Sequence, residues 1–71
     1  MKKIEVFLNG KKKIVPSVWA VIDLIDQLDL KDEQVAVEVN QEIISRSFWG
    51  KQQLVPGDRI EIVHFVGGGA C

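Results

Sequence analysis

The residues best suited to covalent chemistry sit together in one stretch, Phe65-Val66-Gly67-Gly68-Gly69-Ala70-Cys71. Three successive glycines exceed what a helix cap or a tight turn needs. Lacking Cβ atoms, they make a thin thread with every backbone angle open to it. Cys71 adds a thiol two residues beyond the glycines. The run precedes no helix, so anion binding at a helix N-terminus does not apply. No Ser-His-Asp or Cys-His arrangement is readable. His64, the only histidine, has no second ligand at metal-binding spacing, so no metal site is expected. Asp23, Asp26, Asp29, Asp32 and Glu33 spread over a helix face and a loop. They are read as solubilising, or as a docking face for a basic partner.

The chain that positions this stretch has 71 residues, enough for one domain. Apolar residues make up 46% and charged residues 27%, a globular balance rather than a disordered one. The net charge of −1 argues against nucleic-acid binding, which usually needs a strongly basic face. The run Lys11-Lys12-Lys13 is read as a solvated turn. One cysteine cannot form an internal disulfide. No apolar run approaches the ~20 residues needed to span a bilayer, and the first residues lack the pattern of a signal peptide. A cytoplasmic protein, monomeric by itself, with no membrane contact and no bound cofactor, is therefore expected.

Alternation places Ile4, Val6 and Leu8 on one strand face and Lys3, Glu5 and Phe7 on the other. Asn9-Gly10 is a strong hairpin signal. Residues 11–16 return as a second strand that Pro16 ends. Ser17 is read as the N-cap of a helix over roughly 18–28. Val21, Leu24, Ile25 and Leu28 form its apolar stripe, and Trp19 sits in its first turn against the sheet edge. Residues 29–34 are a polar loop into which Leu30 tucks back. Val35, Val37 and Val39 mark a third strand, Asn40-Gln41 a tight turn, and residues 42–44 a short fourth strand. Residues 45–54 read as a turn or 3₁₀ piece with Phe48 or Trp49 covering the core. Pro56-Gly57 suits a type II turn. The last strand runs from Arg59 to Phe65, with Ile60 and Ile62 facing in. This order predicts an α+β domain over 1–66, one helix on a mixed sheet, followed by a flexible tail over 67–71. Both a ubiquitin-like β-grasp and another small α+β roll fit the order of elements.

The stretches Val37-Glu38-Val39-Asn40-Gln41-Glu42-Ile43-Ile44, Gly57-Asp58-Arg59-Ile60-Glu61-Ile62 and Val63-His64-Phe65-Val66-Gly67-Gly68-Gly69 carry a more specific signal. With Asp23-Leu24-Ile25-Asp26-Gln27-Leu28, they make most of the chain resemble the ThiS family. These are sulfur carriers of thiamine thiazole biosynthesis, in the wider class that includes the molybdopterin carrier MoaD. The resemblance implies a β-grasp fold and a carrier rather than an enzyme. It implies that a ThiF-like adenylating enzyme joins the terminal glycine carboxylate to AMP, using ATP. Sulfur then replaces AMP, and the resulting thiocarboxylate serves thiazole synthase or another sulfur acceptor. Gly69 and Gly68 become the sulfur-carrying end. The outer face of the last strand, Val63 and Phe65, together with Phe7 and His64, becomes the expected partner surface.

The tail departs from the family pattern, which ends at the second glycine. Here Ala70-Cys71 follows, so the Gly69 carbonyl is held in a peptide bond. Three readings compete. A peptidase of the deubiquitinase-like metallopeptidase type removes Ala70-Cys71. Alternatively Cys71 itself works as a thiol or persulfide, or the extension is incidental. An N-to-S acyl shift at Cys71 would place the Ala70 acyl group on sulfur, so self-cleavage by that route breaks the wrong bond. A neighbouring carboxylate disfavours the Cys71 thiolate, which counts against a strong nucleophile. Other functions compete with a thiamine carrier: a carrier for homocysteine or cysteine synthesis, a ubiquitin-like protein modifier, and a plain interaction domain.

Overall fold

Asn9 and Gly10 adopt φ of 49° and 84°, the two positive angles of a type I′ turn. The chain therefore reverses within two residues, and β1 (Lys3–Leu8) pairs antiparallel with β2 (Lys11–Pro16). The computed structural model describes residues 2–30 and 34–64. Its remaining elements are α1 (Val21–Gln27), β3 (Val35–Val39), β4 (Glu42–Ile44), a 3₁₀ turn at Arg46–Phe48 and β5 (Arg59–His64). The sheet order is β2-β1-β5-β3-β4. β1 and β5, the first and last strands, lie side by side and parallel, with Phe7 opposite Arg59 and Leu8 opposite Ile60. β3 pairs antiparallel with both β5 and β4.

The strand patterns decide which face is buried. Residues directly opposite in an antiparallel pair share a face. Ile4 with Val15, and Val37 with Ile62 and Ile44, therefore point to one side. Helix α1 sits there with Val21, Leu24 and Ile25 buried, and Leu28 packs against them. Val6, Val35, Val39, Leu54, Ile60 and Trp49 complete the core. Trp49, not Phe48, is the aromatic residue that covers it: Trp49 is 1% exposed and Phe48 is 55%. The indole N–H of Trp49 donates to the Ile44 carbonyl at 3.0 Å, so the buried ring leaves no donor unpaired.

The helix begins later than its periodicity predicts. Ser17 is not its N-cap; Ala20 is, and the Ala20 N–H donates to the Asp23 carboxylate at 2.8 Å. The cause is long-range pairing. Ala20 bridges Gln53, and the Leu54 N–H donates to the Trp19 carbonyl at 3.0 Å. This holds residues 18–20 out of the helix, so Trp19 precedes α1 rather than forming its first turn. At the other end Asp29 takes φ 59°, the Asp29 N–H donates to the Asp26 carbonyl, and the Leu30 N–H donates to the Ile25 carbonyl. This is a Schellman cap, and it folds Leu30 back onto the core.

Candidate functional site

β5 is the element that leads to the glycines, and its first half is fixed from three directions. Gly57, at φ 86°, closes the turn before it, with the Asp58 N–H donating to the Val55 carbonyl at 3.1 Å. The Gly57 N–H donates to the Glu5 carbonyl, and the Phe7 N–H to the Asp58 carbonyl, both at 2.8 Å. The Asp58 side chain is buried and accepts from the Val55 N–H at 2.9 Å and from Asn40 Nδ2 at 3.0 Å. Asn40 completes the link. Its Oδ1 accepts from the Arg59 N–H at 3.0 Å, and its N–H donates to the Arg59 carbonyl at 2.7 Å.

Asn9 does a similar job further along. Its N–H donates to the Ile60 carbonyl and its Oδ1 accepts from the Ile62 N–H, each at 2.8 Å. The side chain thereby extends the parallel ladder after β1 has turned away. From the sequence Asn9 and Asn40 read as turn residues, and the structure adds the bonds of their side chains to β5. The available signal was their place beside a turn and opposite a strand, where a short amide can reach neighbouring backbone.

The face away from α1 is open. Arg59, Glu61 and Val63 of β5 lie on it, with Glu5 and Phe7 of β1, Ala36 and Glu38 of β3, Ile14 of β2 and Ile43 of β4. Val63 is 52% exposed and sits opposite Ala36. Phe7 shares this face but not this spot. It pairs with Arg59, whose guanidinium lies 5.2 Å from the ring centroid, and it is half-buried. Four residues separate Arg59 from Val63, about 13 Å at strand rise. Glu38 and Glu61 stand directly opposite each other between the two apolar spots. Like charges in that position oppose sheet formation, so this pair does not hold the strands together. Lys12 and Glu5 make an ion pair at 3.6 Å towards the β2 edge.

His64 is exposed and opposite Val35, so it projects from the core side of the sheet, not beside Val63. Of the residues singled out from the sequence, the structure thus places Val63 and His64 next to each other in β5 but on opposite faces, with Phe7 further back. Phe65, Gly67, Gly68, Gly69, Ala70 and Cys71, like Asp32 and Glu33, lie outside the described residues. Among the described residues, no group of three or more His, Cys, Asp or Glu could hold a metal ion, and no helix is long and apolar enough to cross a membrane.

A mixed sheet with its parallel first and last strands at the centre and one helix across one face defines the ubiquitin-like β-grasp. The same architecture is found in the crystal structure of a thiamine biosynthesis protein, ThiS, from Geobacter metallireducens. The TM-score is 0.80 at 30% identity, covering 93% of this chain and all of that one. The chain belongs to the ThiS family, whose model matches residues 3–69. It is 43% identical over 63 residues to the sulfur carrier protein ThiS of Bacillus subtilis, covering 87% of this chain and 96% of that protein. It is also 36% identical over 66 residues to a thiazole synthase of Magnetococcus marinus, covering 93% of this chain but 20% of that protein. The chain spans about a fifth of the length of the two thiazole synthases it matches.

Proposed function

We propose that the chain carries sulfur as a thiocarboxylate at Gly69, after hydrolysis of the Gly69–Ala70 bond by a peptidase. The observation that supports this most directly is where the family match stops. It runs from residue 3 to residue 69 and leaves out Ala70 and Cys71. A free carboxylate is a poor electrophile. A ThiF-like adenylating enzyme supplies the remedy. A Gly69 carboxylate oxygen attacks the α-phosphorus of ATP, and pyrophosphate leaves. A hydrosulfide equivalent then attacks the carbonyl carbon, and AMP leaves with the bridging oxygen. The folded body is the handle, and Val63 with Ala36 offers an apolar docking spot beside the exit of β5.

Thiazole synthase is the acceptor this reading favours. In two relatives named thiazole synthase, the region matching this chain makes up about a fifth of the polypeptide. A carrier for sulfur amino-acid synthesis is the second reading, and the residues beyond Gly69 are what favour it. Intact mass of the protein isolated from its host without reductant or alkylation tests the scheme. The expected result is a chain lacking Ala70-Cys71, with a second species in which one oxygen is replaced by sulfur. A population that ends only at Cys71 while the pathway is induced would overturn the trimming step. Loss of thiazole formation on deleting Gly68-Gly69, with the fold intact, separates a carrier from a passive interaction domain.

A further inference from the structure

The second half of β5 has an edge that the sheet does not use. Successive residues of a strand direct their backbone groups alternately to its two neighbours. The Asn40 N–H to Arg59 carbonyl bond puts the odd residues of β5 towards β3. The Asn9 N–H to Ile60 carbonyl bond puts the even residues towards β1. β1 stops at Leu8, opposite Ile60, and the Asn9-Gly10 turn carries the chain away to β2. β3 continues beside β5 as far as Val35 opposite His64. On the β1 side Asn9 Oδ1 takes the Ile62 N–H. The Ile62 carbonyl and the His64 N–H follow, and no described residue bonds to either.

The outer edges of the sheet are protected differently. β2 carries Lys11, Lys12 and Lys13, and β4 is three residues long. Edge lysines and short strands both discourage strand addition. The notch beside β5 has neither device, and it lies immediately before the tail.

Reach decides what must come close to it. Residues 65–69 span at most about 17 Å when fully extended. A pocket that receives Gly69 must therefore open within that distance of His64, so the surface around the pocket crowds the end of β5. Exclusion of water there would leave a backbone donor and acceptor unpaired unless the partner supplies their complements. We propose that an extended segment of the thiazole synthase adds as a strand in this notch, bonding to the His64 N–H and the Ile62 carbonyl. The occupant rests on the acceptor reading above. A main-chain clamp of this kind gives affinity without demanding particular side chains.

The test uses protein purified from its host, its His64→Ala and His64→Pro variants, and the thiazole synthase of the same host. Proline removes the N–H, which does not face β3, so the sheet tolerates it as it does at an open edge. The expected dissociation constants are equal within threefold for wild type and H64A, and about tenfold or more weaker for H64P, the effect of one lost hydrogen bond. Amide hydrogen exchange at His64 of the wild-type chain slows at least tenfold in the complex. Should H64P disturb the β3 amides, this exchange measurement on the unaltered chain decides. Equal binding by H64P and H64A with the β3 amides intact, or unchanged exchange at His64 in a formed complex, would overturn the strand addition. Failure of the wild-type chain to bind the synthase at all overturns the acceptor reading and this occupant with it.

Discussion

Replacing Asn40 by alanine removes the side chain that ties the β3–β4 turn to the start of β5. Two hydrogen bonds are lost, Nδ2 to the buried Asp58 carboxylate and Oδ1 from the Arg59 N–H, both 3.0 Å long. The first involves Asp58, a residue 5% exposed, whose carboxylate then keeps only the Val55 N–H as partner among the described residues. A bond to a charged group is worth about 1.5–3 kcal/mol and a neutral one about 1 kcal/mol. Asn40 also sits at φ 53°, where an alanine Cβ adds about 1 kcal/mol of strain that asparagine largely avoids. Asn40→Ala should therefore cost about 3–5 kcal/mol, and Asn40→Gly about 1 kcal/mol less, because glycine accepts the angle. A chain of this length has roughly 4–11 kcal/mol in total, so either change is a large fraction of it. Urea unfolding followed by fluorescence of the buried Trp49 measures both. The reasoning fails if either variant lies within about 1 kcal/mol of wild type, or if glycine proves no better than alanine.

Gln41 follows Asn40 at φ 72°, and Gln41→Gly should stabilise by roughly 0.5–1 kcal/mol, read as a higher urea midpoint at unchanged slope. Asp29 occupies the left-handed position of the Schellman cap, and Asp29→Gly should stabilise by a similar amount, roughly 0.5–1 kcal/mol in the same assay. Asp23→Ala should cost about 1 kcal/mol through the lost Ala20 N–H bond, while Ser17→Ala stays within about 0.5 kcal/mol; the reverse order would restore Ser17 as the cap.

Strand positions were legible because each strand carries its own signal. Ile4, Val6 and Leu8 alternate, Asn9-Gly10 and Pro56-Gly57 mark turns, and Val35 to Val39 is bounded by polar residues. The helix start was not legible, because Trp19 and Ala20 are held extended by Leu54 and Gln53, more than thirty residues away. No local pattern encodes such a pairing. Ser17 was a plausible cap by type alone. The choice between Phe48 and Trp49 was equally open, since both lie beside the 3₁₀ turn and only the packed core separates them. Alternation puts Val63 and Phe7 on one outer face and His64 on the other, but the separation of Val63 from Phe7 depends on the β1–β5 register, which alternation does not set. The glycines were legible as a motif because family resemblance runs through Gly69, whereas the open notch beside β5 depends on where β1 stops relative to its parallel neighbour.

The hydrogen bonding of β5 separates stability from docking along a single strand. Its start is held by Asp58, Asn40, Gly57 and Asn9, so loss of any one of these bonds should be read in unfolding. Beyond the Ile62 N–H, which Asn9 takes, its end pairs among the described residues with β3, and the proposed clamp uses the groups on its other side. Arg59, where Asn40 bonds, lies five residues from His64, about 17 Å along the strand. Substitutions that far apart, with no shared partner, add within about 0.3–0.5 kcal/mol. The double variant Asn40→Gly with His64→Pro should therefore show the unfolding cost of the first and the binding loss of the second, each unchanged by the other when binding is measured under conditions that keep the chain folded. A binding loss that grows with the Asn40 substitution would mean that the whole of β5 moves as one body during docking, and that its two halves cannot be assigned separate tasks.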